Sequence, residues 1–396
     1  MTAEMGIVNK VGVALAADSA ATINGGKVFN SATKLFTLSS KHFVGIMIYG
    51  NAAYMNIPWN VIIKTFREKI GSDTKEYLKE YLDEFIEYIK TFKVNDSDES
   101  QFIQILSNSL LNSLNQRFNM EKVIINNLSN DELVNKITEY LADIENDLQS
   151  RGLSENYFKK LKSKYEGFIN NFWMNNVDEE VGKKTSDKFV ETVFKIFLSD
   201  RLSPSETGIV FAGYGSKDIF PQVINISIDG SVCGSLKTVD GERVDGSETN
   251  TIMPFAQQEM VHTVMRGIDP DLDIYRQELS DQLRGQIETR FSLSSSKAEL
   301  QQLFDGAKNM FYDEVNRKHI SPVVNMLEVL SLQELGSMAE TFVSLTSFKR
   351  KFSGDIETVG GPIDVLVISR SDGPIWLKRK KYFDIEMNQG YLNRRK

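Results

Sequence analysis

The sequence predicts an α+β chain in which sheets are covered by helices and interrupted by a large helical insertion. Residues 2–50 are apolar and β-rich, and strand signals return near 208–233 and 363–383. Between Pro58 and Pro204 there is no proline at all and glycine is scarce, so that stretch reads as helical. The 396 residues, 41% apolar and 25% charged, hold enough apolar material for one large core or two smaller ones, which excludes a disordered or fibrous chain.

In order along the chain, 6–17 reads as buried strand, Asn24-Gly25-Gly26 as a turn, 43–49 as a second buried strand, and 51–69 as the start of a helix. Asp73 with Glu76, and Ser129 with Glu132, have capping-box spacing. Three apolar stripes at helical intervals follow: Leu78, Tyr81, Leu82, Phe85 and Ile89; Val134, Ile137, Leu141, Ile144 and Leu148; Leu161, Tyr165, Phe168 and Phe172. The Asn/Asp/Ser-rich stretches 95–100 and 126–130 read as helix connections. Strands return at 208–213 and 223–228, where Asp229-Gly230 is expected to close a hairpin into Val232 and Cys233. Helices are expected over 254–266, 271–318 and 331–351. Strands at 363–369 and 375–383 around a turn at 370–374 end the pattern.

Charge and rare residues exclude several chemistries. A formal charge of −8, from 54 acidic and 46 basic side chains, repels phosphate, so no nucleic-acid partner is expected. The one dense basic run, 378–381, reads as a solvated edge strand. Cys233 is the single cysteine, and His42, His262 and His319 are scattered, so no metal or cofactor is expected and no G-x-S-x-G elbow offers a serine nucleophile. Residues 11–17 and Ala14-Leu15-Ala16 imitate a signal peptide, but the run is short and Glu4 interrupts its basic flank. With no run of eighteen apolar residues, a cytoplasmic chain without a membrane span is expected.

The first fifty residues resemble the catalytic β-subunits of the proteasome and the related bacterial proteasome-like peptidases. Thr2 becomes the first residue once Met1 is removed. The segment Gly12-Val13-Ala14-Leu15-Ala16-Ala17-Asp18-Ser19-Ala20-Ala21-Thr22 is similar to the family's second strand and its aspartate, and Ser31-Ala32-Thr33-Lys34-Leu35-Phe36 to its lysine motif. Counted from Thr2, Asp18 lies sixteen residues on and Lys34 thirty-two, and both intervals match the family's. Tyr49-Gly50-Asn51-Ala52-Ala53 resembles the glycine at the start of the family's first long helix. Further likeness lies in Ile209-Val210-Phe211-Ala212-Gly213-Tyr214-Gly215, the strand ending at Asp229-Gly230, and Val359-Gly360-Gly361-Pro362-Ile363-Asp364-Val365.

The resemblance implies a four-layer αββα N-terminal-nucleophile hydrolase sandwich. Its core would comprise 2–70, 205–268 and 331–396, with helical insertions at 71–204 and 269–330. It implies peptide-bond hydrolysis by Thr2, with Asp18 and Lys34 in support and the Gly50 N–H in the oxyanion hole. Ala21, Thr22, Ala32, Ile48 and Ala52 would line the substrate pocket. Where the family carries an Asp-x-x-Ser-Gly-Gly junction this chain has Asp355-Ile356-Glu357-Thr358-Val359-Gly360-Gly361, so Asp355, Glu357 or Thr358 would support the threonine amine. A peptide or protein substrate and a homo-oligomer are the expected partners. A degenerate ring subunit and a small-molecule amidase are the alternatives.

The chemistry is sound on its own terms. A threonine hydroxyl needs a base, and a chain this poor in histidine must find one elsewhere. A free N-terminal amine, with a reference pKa of about 7.7–8.0, is partly neutral near physiological pH. A neighbouring lysine favours the neutral amine, and an aspartate holds that lysine in place.

Overall fold

The computed structural model describes residues 3–23, 27–39, 41–121, 128–152, 154–290, 297–353, 359–381, 383–384 and 386–388. The chain opens with β1 (Glu4–Asn9), β2 (Gly12–Ala17), β3 (Ala21–Ile23), β4 (Lys27–Phe29), β5 (Leu35–Ser39) and β6 (His42–Gly50). A two-strand hairpin, β7 (Ala53–Tyr54) and β8 (Ile57–Pro58), then leads into α1 (Trp59–Ile70) and α2 (Leu78–Lys90). Four helices follow, α3 (Asp96–Met120), α4 (Asn130–Asn146), α5 (Glu155–Met174) and α6 (Glu179–Leu198). Next come β9 (Thr207–Gly213), β10 (Gln222–Val232), β11 (Ser235–Asp245), β12 (Thr251–Ala256) and α7 (Gln258–Arg266). The last elements used below are α8 (Pro270–Arg290), α9 (Lys297–Val315), α10 (Ser321–Leu327), α11 (Leu332–Phe352), β13 (Asp364–Ser369) and β14 (Gly373–Lys378). The α+β class is as expected.

Two five-stranded sheets dominate, ordered β12-β1-β2-β13-β14 and β11-β10-β9-β6-β5, with every neighbouring pair antiparallel. Strand alternation sorts their side chains onto two faces. Val8, Val13, Leu15, Leu366 and Ile368 of the first sheet meet Met47, Val210, Ala212 and Val223 of the second in a shared core. On the first sheet's other face, Met5, Ile7, Ala14, Ala16, Val365 and Val367 pack with Leu335, Ala339, Phe342 and Val343 of α11. On the second sheet's other face, Val44, Ile46, Ile48, Ile209 and Phe211 pack with Ile62, Ile63 and Phe66 of α1 and Leu82, Phe85 and Ile89 of α2. The stripe that begins at Leu78 thus covers the sheet alongside α1, although it lies within 71–204.

Helices α3 to α6 bury a core of their own around Leu106, Leu110, Leu141, Leu161, Phe189 and Phe194. The α5 stripe differs from expectation: its buried row is Leu161, Tyr165, Ile169 and Trp173, while Phe168 is exposed. The reason is Trp173, which stacks on Phe189 at 4.1 Å between ring centroids and donates its Nε1–H to Thr185 Oγ1 at 2.9 Å. By contrast, α8 and α9 bury almost nothing, Asp273 alone being buried along α8.

Other local expectations need correction. Ser129 and Glu132 form the capping box, but Asp73 and Glu76 do not, because the first amide of α2, at Leu78, instead donates to Asp218 Oδ2 at 2.8 Å. The stretch 95–100 is a helix start, with the Asn95 side chain accepting from the Asp98 N–H and Asp96, Asp98 and Glu99 in the first turn, where the helix dipole favours acid. Asp229-Gly230 is a bulge inside β10, and the turn falls at Cys233-Gly234, both at positive φ as a two-residue hairpin turn requires. Residues 251–256 are strand, not helix; Pro254 is tolerated because β12 is an edge strand. The basic run ends edge strand β14, with Lys378 paired to Glu340 and Lys380 to Asp364. The turn at 24–26 lies outside the described residues. Among those described, no helix is long and apolar enough to cross a membrane.

His42, at the start of β6, is fully buried against the Tyr81 ring, and neither of its ring nitrogens has a hydrogen-bonding partner among the described residues. Burial lowers its pKa below the ordinary 6.5, against an opposing pull from Asp73. The unfolded chain therefore takes up a proton that the folded one refuses, so the stability carried by neutral His42 is present above pH 6.5 and is lost as the pH falls below it. We expect wild type to lose more stability than His42→Phe between pH 7 and pH 5, with a difference in slope of up to about 1.4 kcal/mol per pH unit in urea unfolding.

Candidate active site

Asp18 follows directly on β2, and its carboxylate is buried where four chain segments converge. Oδ1 accepts the Ala3 N–H at 3.1 Å and the Lys34 ammonium; Oδ2 accepts the N–H groups of Ala20 at 3.1 Å and Gly360 at 3.0 Å. The Asp18 N–H returns a bond to Ala3 O at 3.2 Å, so Ala3 is clamped in both directions. Ser19 extends the junction, donating its N–H to Gly360 O at 3.1 Å and its hydroxyl to Pro362 O at 2.6 Å, and accepting the Ala32 N–H at 3.0 Å. Ala3, the Ser31–Phe36 segment through Ala32 and Lys34, and the junction through Gly360 and Pro362 are thus tied to residues 18–20.

Lys34 precedes β5, with its side chain 6% exposed and its carbonyl accepting the Ile48 N–H at 2.9 Å. Its ammonium touches Asp18 and also lies 3.5 Å from Glu4 Oε1, a carboxylate with no solvent exposure. Sequence reasoning missed Glu4. The signal was present, since an acid at the head of the apolar run 5–8 has no reason to be there unless a cation meets it.

Gly50 needs correction in one respect: it ends β6, and α1 begins only at Trp59, after the β7–β8 hairpin. Its φ of +82° and the 2.7 Å that would separate an added Cβ from Glu206 O both demand glycine. On one edge of β6 the Asn51 N–H donates to Glu206 O, and on the other the Ile48 N–H donates to Lys34 O. Alternation along the strand puts the Gly50 N–H on the Lys34 edge. Beside it, burial pushes the Tyr49 phenol up, a hydrogen bond with Asn225 opposes the rise, and the charges of Glu206 and Glu4 add to it.

The expected pocket residues sit in different surroundings. Ile48 is buried in the core beneath α1, Ala21 and Ala32 are half-buried, and Thr22 and Ala52 are exposed. Thr2, Asp355, Glu357 and Thr358 lie outside the described residues. Among those described, no group of three or more His, Cys, Asp or Glu side chains is placed to hold a metal.

Removing one member of a buried, hydrogen-bonded ion pair strands the other, which costs about 3–5 kcal/mol. Asp18→Ala is expected to show a loss of that size in urea unfolding, with Lys34 and three backbone amides left without their acceptor. Gly50→Ala should cost roughly 1–3 kcal/mol in the same measurement, through its φ and the Glu206 carbonyl. No protein-family model matches the chain and no curated protein matches it, so the chemistry of the site is carried by its own residues.

Proposed function

We propose that the chain is a proteasome-like N-terminal-nucleophile hydrolase that cleaves amide bonds with Thr2. The observation that carries this reading is the Asp18 carboxylate, which holds the Ala3 N–H and the Lys34 ammonium on one oxygen, so that the residue following Thr2 in the sequence is held beside the lysine. Two antiparallel sheets face to face, each covered by helices on its outer side, are what the four-layer αββα sandwich requires.

In this reading the Thr2 amine takes the hydroxyl proton as Oγ attacks the substrate carbonyl carbon. Lys34 disfavours a second positive charge and keeps the amine neutral, while Asp18 orients Lys34. The Gly50 N–H stabilises the oxyanion. As the tetrahedral intermediate collapses, the C–N bond breaks and the amine passes its proton to the leaving nitrogen. Water, with the amine again as base, hydrolyses the ester and restores Thr2. No metal or cofactor takes part in these steps. The substrate class is peptide with an apolar residue before the cut, recognised by Ala21, Thr22, Ala32 and Ala52, with Ile48 buried behind them, and the working form is a cytoplasmic homo-oligomer.

The test is direct. Intact mass should show loss of Met1, and a peptide-like electrophile should label Thr2. Thr2→Ala should abolish hydrolysis with the fold retained, and Lys34→Arg should not restore Lys34→Ala, because a planar guanidinium does not match the ammonium. Fluorogenic peptides should be cut fastest after apolar residues. Undiminished turnover by Thr2→Ala would sink the mechanism, and a folded, Met1-free chain that resists labelling would point to a degenerate subunit.

A further inference from the structure

We infer that Glu4 is a positioning residue of this site, one that fixes the Lys34 ammonium together with Asp18 and sets the pH range in which the Thr2 amine is neutral. The inference rests on the reading of Thr2 as nucleophile. Its structural basis is independent of that reading.

Glu4 is the first residue of β1, pairing with Ala17 of β2 on one side and Ala256 of β12 on the other. The bulge opposite Glu4 and Met5 lies on β12, where Phe255 is the extra residue, so β1 itself runs regularly against β2 through Glu4. Met5 and Ile7 point toward α11, so strand alternation sends Glu4, with Gly6 and Val8, to the face turned toward the second sheet. There its fully buried carboxylate meets Lys34 at 3.5 Å. A carboxylate without solvent in an apolar strand costs several kcal/mol unless a cation compensates it, and an alanine or valine would serve β1 better if packing were the only demand.

Among the described residues, the charged and titratable groups facing Glu4 come from three elements. Asp18 and Lys34 face it from the turn after β2 and the residue before β5, and Tyr49 faces it from β6, held by Asn225. β12 brings no titratable residue, and Asp364, one strand beyond Ala17, is matched by Lys380. With both carboxylates ionised, the Lys34 ammonium has two negative charges beside it. Asp18 already satisfies three backbone amides, whereas Glu4 adds charge at the lysine. That extra negative charge, two residues from the chain end, raises the pKa of the Thr2 amine and opposes the effect of Lys34.

Glu4→Gln keeps the shape and removes the charge. The acid limb of the pH profile for Thr2 acylation by a peptide-like electrophile should move to lower pH by roughly one unit. Glu4→Asp should restore the wild-type limb in part, and Glu4→Ala should lower the maximal rate about tenfold or more through a misplaced Lys34. A second readout needs no activity. In thermal unfolding, Glu4→Gln should lower the midpoint in wild type but lower it less in a Lys34→Met background, where the Lys34 ammonium is gone. Labelled wild type with a Glu4→Gln profile that superimposes on it, or strictly additive midpoints, would overturn the role of Glu4 while leaving Thr2 intact. A wild type that never labels at Thr2 overturns the nucleophile reading first, and this inference with it.

Discussion

The Asp18 carboxylate is the constraint on which the rest of this structure depends. A single pair of oxygens receives the ammonium of Lys34 and the amides of Ala3, Ala20 and Gly360, so the N-terminal strand, the turn after β2, the entry to β5 and the junction before β13 share one anchor. Each donor alone is a modest net gain, on the order of 1 kcal/mol. Together they leave the buried carboxylate no unpaired direction, which is the condition under which a buried charge is tolerated. The sheets must arrive at this point in register, because a one-residue slip of β2 would move Asp18 to the wrong face.

Burial explains why the anchor holds. β1, β2 and β13 are buried along their whole length, with α11 on one side and the second sheet on the other. A strand covered on both faces loses the polar alternation of a surface strand, and this is why 12–17 reads as a continuous apolar run that imitates a signal peptide. The same dual coverage makes Glu4 conspicuous: in a strand without a solvent face, an acid must find its partner inside.

What was legible in the sequence follows from how local the cause is. The Ser129 capping box and the α2 and α4 stripes depend on residues within a turn or two of one another, and the structure has them. The Leu161 stripe was misread because Phe168 and Ile169 are both apolar, and only the partner across the bundle, Phe189 under Trp173, decides which is buried. Asp229-Gly230 has turn chemistry, yet β10 runs on through it, since Cys233-Gly234 takes the positive φ pair instead. At the site, the spacing of Asp18 and Lys34 from Thr2 was visible and the two do meet; Glu4 left a signal, an acid heading an apolar run, but not the name of its partner, and Ser19 and Ala3 left none because their partners lie in other elements. The helix expected directly after Gly50 was displaced by a short hairpin that no local pattern announces.

The placement of the helical bundle follows the same logic. An insertion survives where it leaves the anchor undisturbed, and α3 to α6 enter after α2 and leave before β9, both remote in sequence from residues 3, 18–20, 34 and 360. In space the bundle is bolted to the far end of the β10–β11 hairpin. Glu99 accepts the Cys233 N–H at 2.8 Å, the Tyr157 hydroxyl donates to Val232 O, and Lys237, buried with its pKa lowered to about 8, donates to Ile196 O at 2.8 Å. Gly50, Thr207 and Ile228 lie in one row across β6, β9 and β10, so this hairpin tip projects from the end of the sheet at which Gly50 sits. The hairpin that follows Gly50 also reaches the bundle, Asn56 donating to Asp98 at 2.7 Å and to Gln101 at 3.1 Å. A bundle that rests on the segment leaving Gly50 holds that segment in place, and with it the glycine to which the proposed mechanism gives the oxyanion; under that reading the bundle bears on the geometry around the site.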